Sequence, residues 1–335
     1  MKIHEKYIKR CIDLAKNGLP SAMPNPSVGA LLLVDGVIIA EGYTSAYGGS
    51  HAEVHAITYA QTHTPELITK ATLYVTLEPC SHYGKTPPCA DLVIASGIQK
   101  VVIGTIDPHA KVAGNGIKKL IEAGIDVTVG VLESECYEAN KRFFTFHKKK
   151  RPYVILKWAE TVDGYIAPAE RDKTAPVWIT NSYSRQLVHT WRSEEQAILV
   201  GAQTVLADNP SLTTRDWYGK SPLRVVLNER EELPQDLHIF NEEAETLVIP
   251  SQDPKEITTI LYEKGIQSVI IEGGAKTLQR FIDAGIWDEA SVFTGTTTFG
   301  KGTRAPHLLQ KQQDNAALSQ DIKGDTLTTY KNNNL

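Results

Sequence analysis

PCSHYGKTPPC, residues 79–89, holds two cysteines, Cys80 and Cys89, each directly after a proline. Upstream stands HAEVHA, residues 51–56, with Glu53 two positions beyond His51. The strand pattern ATLYVTL lies between the two motifs, and the helix pattern CADLVIASG follows them. The flanking chain keeps the same alternation. A helix from about His4 to Asn17 precedes the strand VGALLLV, a hairpin turn at Asp35-Gly36 and the returning strand VIIAEGY. HAEVHAITYAQT has helical periodicity. The strand KVVIGTI, a helix from Gly116 to Ala123, the strand DVTVGV and a last helix from Ser134 to Phe144 complete the series. After an opening hairpin, this pattern implies a mixed or parallel sheet covered by helices, with both motifs at element ends.

Thiolates and neutral imidazoles hold zinc in a tetrahedron, and a catalytic site uses three protein ligands so that water can take the fourth position. His51, Cys80 and Cys89 supply three. Glu53, at H-x-E spacing, then serves as acid and base and not as a ligand, the pattern of hydrolytic zinc deaminases. Two other readings stay open from the residues alone. One is a closed structural site with His55 or His82 as fourth ligand. The other is a zincin, although that motif has Glu directly after the first His and Glu53 is displaced by one. Residues at i and i+2 do not share a helix face. His51 and Glu53 therefore converge only in a first turn, for which Ser50 is the expected N-cap. Cys89 likewise opens a helix, where partial positive charge favours thiolate. His55 is expected to pack within its helix, and Cys11 and Cys136 to be buried, inert thiols.

A chain of 335 residues exceeds the ~100–200 of one domain, so two are expected. Hydrophobic residues make up 41% and charged residues 22%, which fits a globular protein and excludes a disordered one. No apolar run approaches the ~18–20 residues of a membrane span. The start, MKIHEKYIKRCIDLAKNG, has no secretory signal pattern, so a cytoplasmic location is expected. Net charge is −4, from 35 Lys plus Arg against 39 Asp plus Glu, which gives no footprint for a nucleic-acid partner. The run Lys148-Lys149-Lys150-Arg151 reads as a solvated linker before Pro152. That sets domains at 1–147 and 152–335. The second half brings the short strands YVILK, AILVG, LRVVL, TLVIP, SVIIE and ASVFT, a second α/β domain, and ends in a short polar tail. SVIIE, Gly273-Gly274 and AKTLQRFIDAG form a strand–turn–helix junction whose backbone N–H groups suit a pyrophosphate. It is not the G-x-G-x-x-G of a Rossmann domain.

PCSHYGKTPPC, together with HAEVHA and NPSVGA (residues 25–30), resembles the pyrimidine deaminase half of the bifunctional deaminase/reductase family of riboflavin biosynthesis. The wider cytidine deaminase group carries P-C-x-x-C; the longer gap here points to the riboflavin branch. KWAETVDG (157–164), VWIT (177–180), RSEEQAILVGAQTVLADNPSLTTR (192–215) and VIIEGGAKTLQRF (269–281) resemble its reductase half. The resemblance implies a cytidine-deaminase-like three-layer α/β/α domain followed by a dihydrofolate-reductase-like α/β domain. It implies zinc on His51, Cys80 and Cys89, proton transfer by Glu53, and Asn25, Lys85 and Asp107 near the substrate. NADPH is implied along Ala159, Trp178, Thr204, Asp208 and the run Gly274, Ala275, Lys276, Thr277, Leu278, Gln279 and Arg280. Arg192, Leu212, Arg215 and Glu272 would meet the ribosyl phosphate side of a small-molecule substrate, and Lys157 the reacting sugar carbon.

The activity so implied is hydrolytic deamination of 2,5-diamino-6-ribosylamino-4(3H)-pyrimidinone 5′-phosphate, then NADPH-dependent reduction of its ribosyl to a ribityl chain. Thr44, His109 and Pro176 depart from residues frequent in the family and bear on substrate contacts, not on zinc. The alternative is a nucleic-acid base deaminase with an accessory domain. It would share the zinc site but need a basic, aromatic groove, which the acidic balance opposes. A homo-oligomer is expected.

Overall fold

The computed structural model describes residues 2–83, 87–108, 113–170, 177–229, 233–309 and 316–332. The chain divides into two compact units, Met1–Lys149 and Lys150–Leu335.

The first unit runs α1 (Lys2–Ala15), β1 (Gly29–Val34), β2 (Val37–Tyr43), α2 (Ala52–His63), β3 (Thr72–Leu77) and α3 (Cys89–Ala95). It continues with β4 (Lys100–Thr105), α4 (Asn115–Glu122), β5 (Asp126–Val129), α5 (Glu133–Ala139) and α6 (Lys141–Lys149). The sheet order is β2-β1-β3-β4-β5. β1 is antiparallel to both neighbours, while β3, β4 and β5 are parallel. Side chains alternate across a strand, and the two faces bury different sets. Leu31, Tyr74 and Val102 pack with Tyr7, Ile8 and Cys11 of α1 and Cys136 of α5. Leu32, Leu73 and Ile103 pack on the other face with Ala56 and Ile57 of α2, Val93 of α3 and Leu120 of α4. Because β1 runs against β3, the start of β1, the end of β2 and the ends of β3 and β4 meet at one sheet edge. That edge carries the His51, Cys80 and Asp107 segments.

Two expectations change here. The single helix expected from Ser134 to Phe144 is broken at Asn140. The Asn140 side chain turns to Ser27, accepting its N–H and donating to its carbonyl, both at 2.9 Å, so local helix propensity yields to a tertiary contact. The basic run is a solvated linker only in part: Lys148, Lys149 and Lys150 are exposed and the unit boundary falls after Lys149. Lys148 and Lys149 complete α6, and Arg151 is buried, gripping Asp288 with two bonds of 2.5 and 2.9 Å. A buried guanidinium needs such a partner. Cys11 and Cys136 are buried as expected, and burial raises both thiols, Cys136 to about 12.

The second unit opens with β6 (Tyr153–Glu160), β7 (Tyr165–Pro168), α7 (Ser182–Glu194), β8 (Ala197–Gly201), α8 (Ala202–Asp208), β9 (Leu223–Leu227) and β10 (Thr246–Ile249). α9 (Pro254–Glu263), β11 (Ser268–Ile271), α10 (Ala275–Asp283), β12 (Glu289–Thr294), β13 (Gly302–Arg304), β14 (Ala316–Ile322) and β15 (Asp325–Lys331) follow. The large sheet is ordered β10-β9-β8-β11-β6-β12-β15-β14. It is parallel from β10 to β12 and antiparallel beyond. β13 pairs with β7 in a separate two-stranded sheet. The polar tail is therefore an antiparallel hairpin at the sheet edge, where Thr-rich strands need bury only one face, through Leu327 and Tyr330. In a parallel sheet the loops beyond the strand C-termini gather ligands; here they include Glu272 after β11 and the segment after β8.

Candidate functional site

His51 stands at the N-cap position of α2 with extended backbone (φ −77°, ψ 163°), and Glu53 is the second residue of the helix. The N-cap is thus His51 and not Ser50. Both side chains sit at the helix start, the geometry that H-x-E requires. Cys80 follows the end of β3, and Cys89 is the first residue of α3. His51 Nδ1 lies 3.3 Å from Cys89 Sγ and 3.6 Å from Cys80 Sγ. The three ligand atoms all fall within 4.8 Å of one another. Zinc–sulfur bonds of ~2.3 Å put tetrahedral neighbours about 3.8 Å apart, so this nitrogen and two sulfurs fit one zinc ion. The loop between the cysteines is closed at its base: Cys89 N–H donates to Cys80 Sγ (3.3 Å) and Ala90 N–H to the Cys80 carbonyl (3.1 Å).

Electrostatics favour a thiolate at Cys80. Contact with the Cys89 thiol holds Cys80 down at about 4, with His51 helping, while the same contact pushes Cys89 up. Glu53 is buried, which together with the Cys80 charge raises its carboxyl to about 7. Among the described residues no fourth His, Cys or carboxylate joins the group. His55 is exposed, with its ring 2.7 Å from the Ser45 hydroxyl, and does not pack in a core. His82 is exposed as well. Neither the closed site nor the two-histidine reading finds its ligand.

Glu78, two residues before Cys80, is a buried carboxylate that the sequence reading passed over. It accepts backbone N–H groups from Asp107 (3.3 Å), Gly114 (3.0 Å), Gly116 (2.8 Å) and Ile117 (3.3 Å). One carboxylate therefore ties the Cys80 segment to the Asp107 segment and to the start of α4. Its sequence signal was an acid in an otherwise apolar strand end. Asn25 lies on the loop before β1, at the same sheet edge. Thr44 is buried and spends its hydroxyl on the Val28 backbone (2.9 Å), a structural use and not a substrate contact. Lys85, His109 and Pro176 lie outside the described residues.

In the second unit a cavity of about 480 Å³ gathers Lys157, Trp178, Arg192, Thr204, Asp208, Leu212, Arg215 and Glu272. These are eight of the residues singled out in sequence. Arg192 of α7 grips the Glu272 carboxylate with bonds of 3.1 and 2.8 Å, and Lys157 Nζ lies 3.8 Å away. Two cations thus hold Glu272 down at about 2 against its burial. Burial pulls Lys157 down despite the Glu272 charge. Leu212, buried at φ +53°, is in the left-handed region that non-glycine residues avoid; such strain collects at functional loops. Ala159 and the run from Gly274 to Arg280 are not cavity walls. Ala159 packs beside Val188 and Phe293, and Leu278 belongs to the core, which leaves its backbone alone for a ligand. Gly274 comes up against Thr204: a Cβ there would lie 3.3 Å from its hydroxyl. The cavity also includes Arg185, His189, Asn209 and His238, which the sequence reading missed. Arg185, His189 and Arg192 recur at i, i+4, i+7 on α7, a stripe that was legible as spacing.

Comparison with known proteins matches this geometry. The profile of the RibD C-terminal domain covers residues 152–331, and that of the cytidine and deoxycytidylate deaminase zinc-binding region covers residues 1–105. The riboflavin biosynthesis protein RibD of Aquifex aeolicus is 40% identical over 325 residues, spanning 90% of this chain and 89% of its own. The chain belongs to the RibD family. The RibD of Escherichia coli strain K12 is 34% identical across 90% of this chain and 89% of its own. Among solved structures, the Thermotoga maritima diaminohydroxyphosphoribosylaminopyrimidine deaminase/5-amino-6-(5-phosphoribosylamino)uracil reductase superposes with TM-score 0.90 at 40% identity. It covers 98% of this chain and 99% of its own. Acinetobacter baumannii RibD superposes with TM-score 0.87 at 31% identity and the same coverage. Both parts of a bifunctional RibD are present here: a zinc-binding deaminase domain and a dihydrofolate-reductase-like reductase domain that uses NADPH. No helix among the described residues is long and apolar enough to cross a membrane.

Proposed function

We propose that residues 1–147 deaminate 2,5-diamino-6-ribosylamino-4(3H)-pyrimidinone 5′-phosphate and that residues 152–335 then reduce its ribosyl to a ribityl chain. The observation that carries the first half is the convergence of His51, Cys80 and Cys89 within 4.8 Å beside a buried Glu53. His51, Cys80 and Cys89 are the ligands, with Cys80 already a thiolate at neutral pH. Zinc, when bound, supplies the Lewis acidity that brings a water's pKa down to about 7. Glu53 takes that water's proton and delivers it to the amine that leaves as ammonia, its carboxyl lying near neutrality as such a shuttle requires. Asn25 and Asp107, at the sheet edge, contact the substrate, as does Lys85.

In the second half, Arg192, Arg215, Leu212 and Glu272 receive the sugar phosphate side. Trp178, Thr204, Asp208, Ala159 and the Gly274–Arg280 segment receive the dinucleotide, whose nicotinamide supplies the hydride. Lys157, an ammonium with a lowered pKa beside Glu272, sits by the reacting sugar carbon and gives a proton to the imine nitrogen of the opened sugar as the hydride adds to that carbon. The enzyme works in the cytoplasm, as a homo-oligomer, without a nucleic-acid or membrane partner. The test is to supply the diaminopyrimidine phosphate with and without NADPH and identify the products. Without NADPH, ammonia and the deaminated ribosyl compound are expected; with it, the ribityl compound. Ammonia release from a Glu53→Gln variant at the wild-type rate would overturn the shuttle.

A further inference from the structure

His189 has no part in the chemistry above, yet it is 1% exposed and lines the cavity. Its Nδ1 accepts the backbone N–H of Arg215 at 3.2 Å, and its Nε2 lies 3.6 Å from the Asp216 carboxylate. A ring that accepts at Nδ1 carries its proton on Nε2, so the imidazole is neutral and aimed at both residues. Burial and the neighbouring charges of Arg192 and Arg215 keep it so, holding its pKa at about 4.

The cations around it are unequally engaged. Arg192 is committed to Glu272, and Arg185 lies 2.8 Å from Asp216 while covering the Trp178 ring. The Arg215 guanidinium makes no hydrogen bond or ion pair among the described residues. It is the cation left over for an incoming anion. Where it stands is decided by its backbone, and the chain there is constrained on both sides. Arg192 Nη1 donates to the Thr213 carbonyl at 3.2 Å, and Thr214 N–H donates to the Ser221 hydroxyl at 3.1 Å.

We propose that His189 is a positioning residue for anion recognition: it fixes the Arg215-Asp216 turn so that Arg215 meets the substrate's phosphate monoester. This deepens the reading that Arg215 faces the phosphate, and rests on it. Asp216 pairs with Arg185 at 2.8 Å, and its charge also favours the Arg215 cation.

The test is reductase kinetics of the full chain carrying His189→Leu, His189→Asn or His189→Gln, with inorganic phosphate as competitive inhibitor. Loss of one hydrogen bond to the turn is expected to raise KM for the deaminated substrate about tenfold. The phosphate inhibition constant should rise by the same factor, with kcat and the NADPH KM within about twofold. Asn places an acceptor near Nδ1 and should restore both values, whereas Gln should not. Ammonia release by the first unit is the control for an intact chain. Unchanged KM and phosphate inhibition in His189→Leu would overturn the role. So would parallel losses in kcat, substrate KM and NADPH KM with no rescue by Asn, which mark a packing residue. Arg215→Ala separates the two levels: unchanged phosphate inhibition there overturns the underlying reading of Arg215 itself.

Discussion

Replacing Glu272 by Gln removes one negative charge from between Lys157 and Arg192 and leaves both cations buried without a counter-ion. The three side chains are 15%, 10% and 9% exposed for Lys157, Arg192 and Glu272, so solvent screening is slight. Breaking a buried pair in this way costs about 3–5 kcal/mol. The pKa gives a second route to the magnitude. Holding Glu272 at about 2 instead of its ordinary value near 4.3 corresponds to roughly 3 kcal/mol, in agreement with the lower bound. At about 2–4 °C per kcal/mol for a unit of this size, Glu272→Gln should lower the melting temperature by roughly 6–20 °C. The assay can be specific to one unit, because all five tryptophans, Trp158, Trp178, Trp191, Trp217 and Trp287, lie in Lys150–Leu335. Tryptophan fluorescence therefore follows the reductase unit alone. The sign with pH follows from a depressed carboxyl. The stabilisation is fully present above the unfolded pKa of about 4.3 and is lost as pH falls from there toward the folded value of about 2. The gap between wild type and variant should hold constant from pH 7 to about 5 and narrow below. A fall of less than about 2 °C, or a gap that widens on acidification, would refute the triad as a stabilising charge network.

Four further outcomes are expected. Glu53→Gln should slow ammonia release by about 10²–10⁴ and leave NADPH oxidation of the deaminated substrate intact. Metal analysis should give about one zinc per wild-type chain and almost none for Cys80→Ser; full retention by the variant would remove Cys80 from the ligand set. Gly116→Ala would put a Cβ 2.0 Å from the Pro79 carbonyl, so the backbone beside Cys80 must move; zinc loss to a chelator should become about tenfold more favourable. Asp288→Asn strands the buried Arg151 and should cost the second unit about 3–5 kcal/mol in denaturant unfolding, read by the same fluorescence; a loss below 1 kcal/mol would contradict the pairing.

The metal site was legible because its information is local. His51 and Glu53 are two residues apart, and each cysteine sits at an element boundary that proline marks. Most of the strands were legible for the same reason, as short β-branched runs. What stayed hidden depends on contacts between distant segments. Nothing near Asn140 in sequence says that Ser27 will occupy its side chain and break the helix. Arg151 looked like one more charge of a basic run, and only Asp288, far along the chain, makes it a buried residue. The last hairpin was missed because β15 alternates Thr with few apolar residues, a weak signal that edge position makes sufficient. In the reductase cavity the singled-out residues converge; the α7 stripe that includes His189 was legible as spacing, but its contact with the Arg215-Asp216 turn forms only when α7 meets the loop after α8.

The hydrogen bond from Ala90 N–H to the Cys80 carbonyl has a consequence for how this enzyme can diversify. Cys80 is anchored from behind by Glu78 and Cys89 by its helix, so the metal ligands are fixed on either side of the chain that joins them. The sequence joining Cys80 to Cys89 can therefore drift in length and composition while the two thiols keep their spacing.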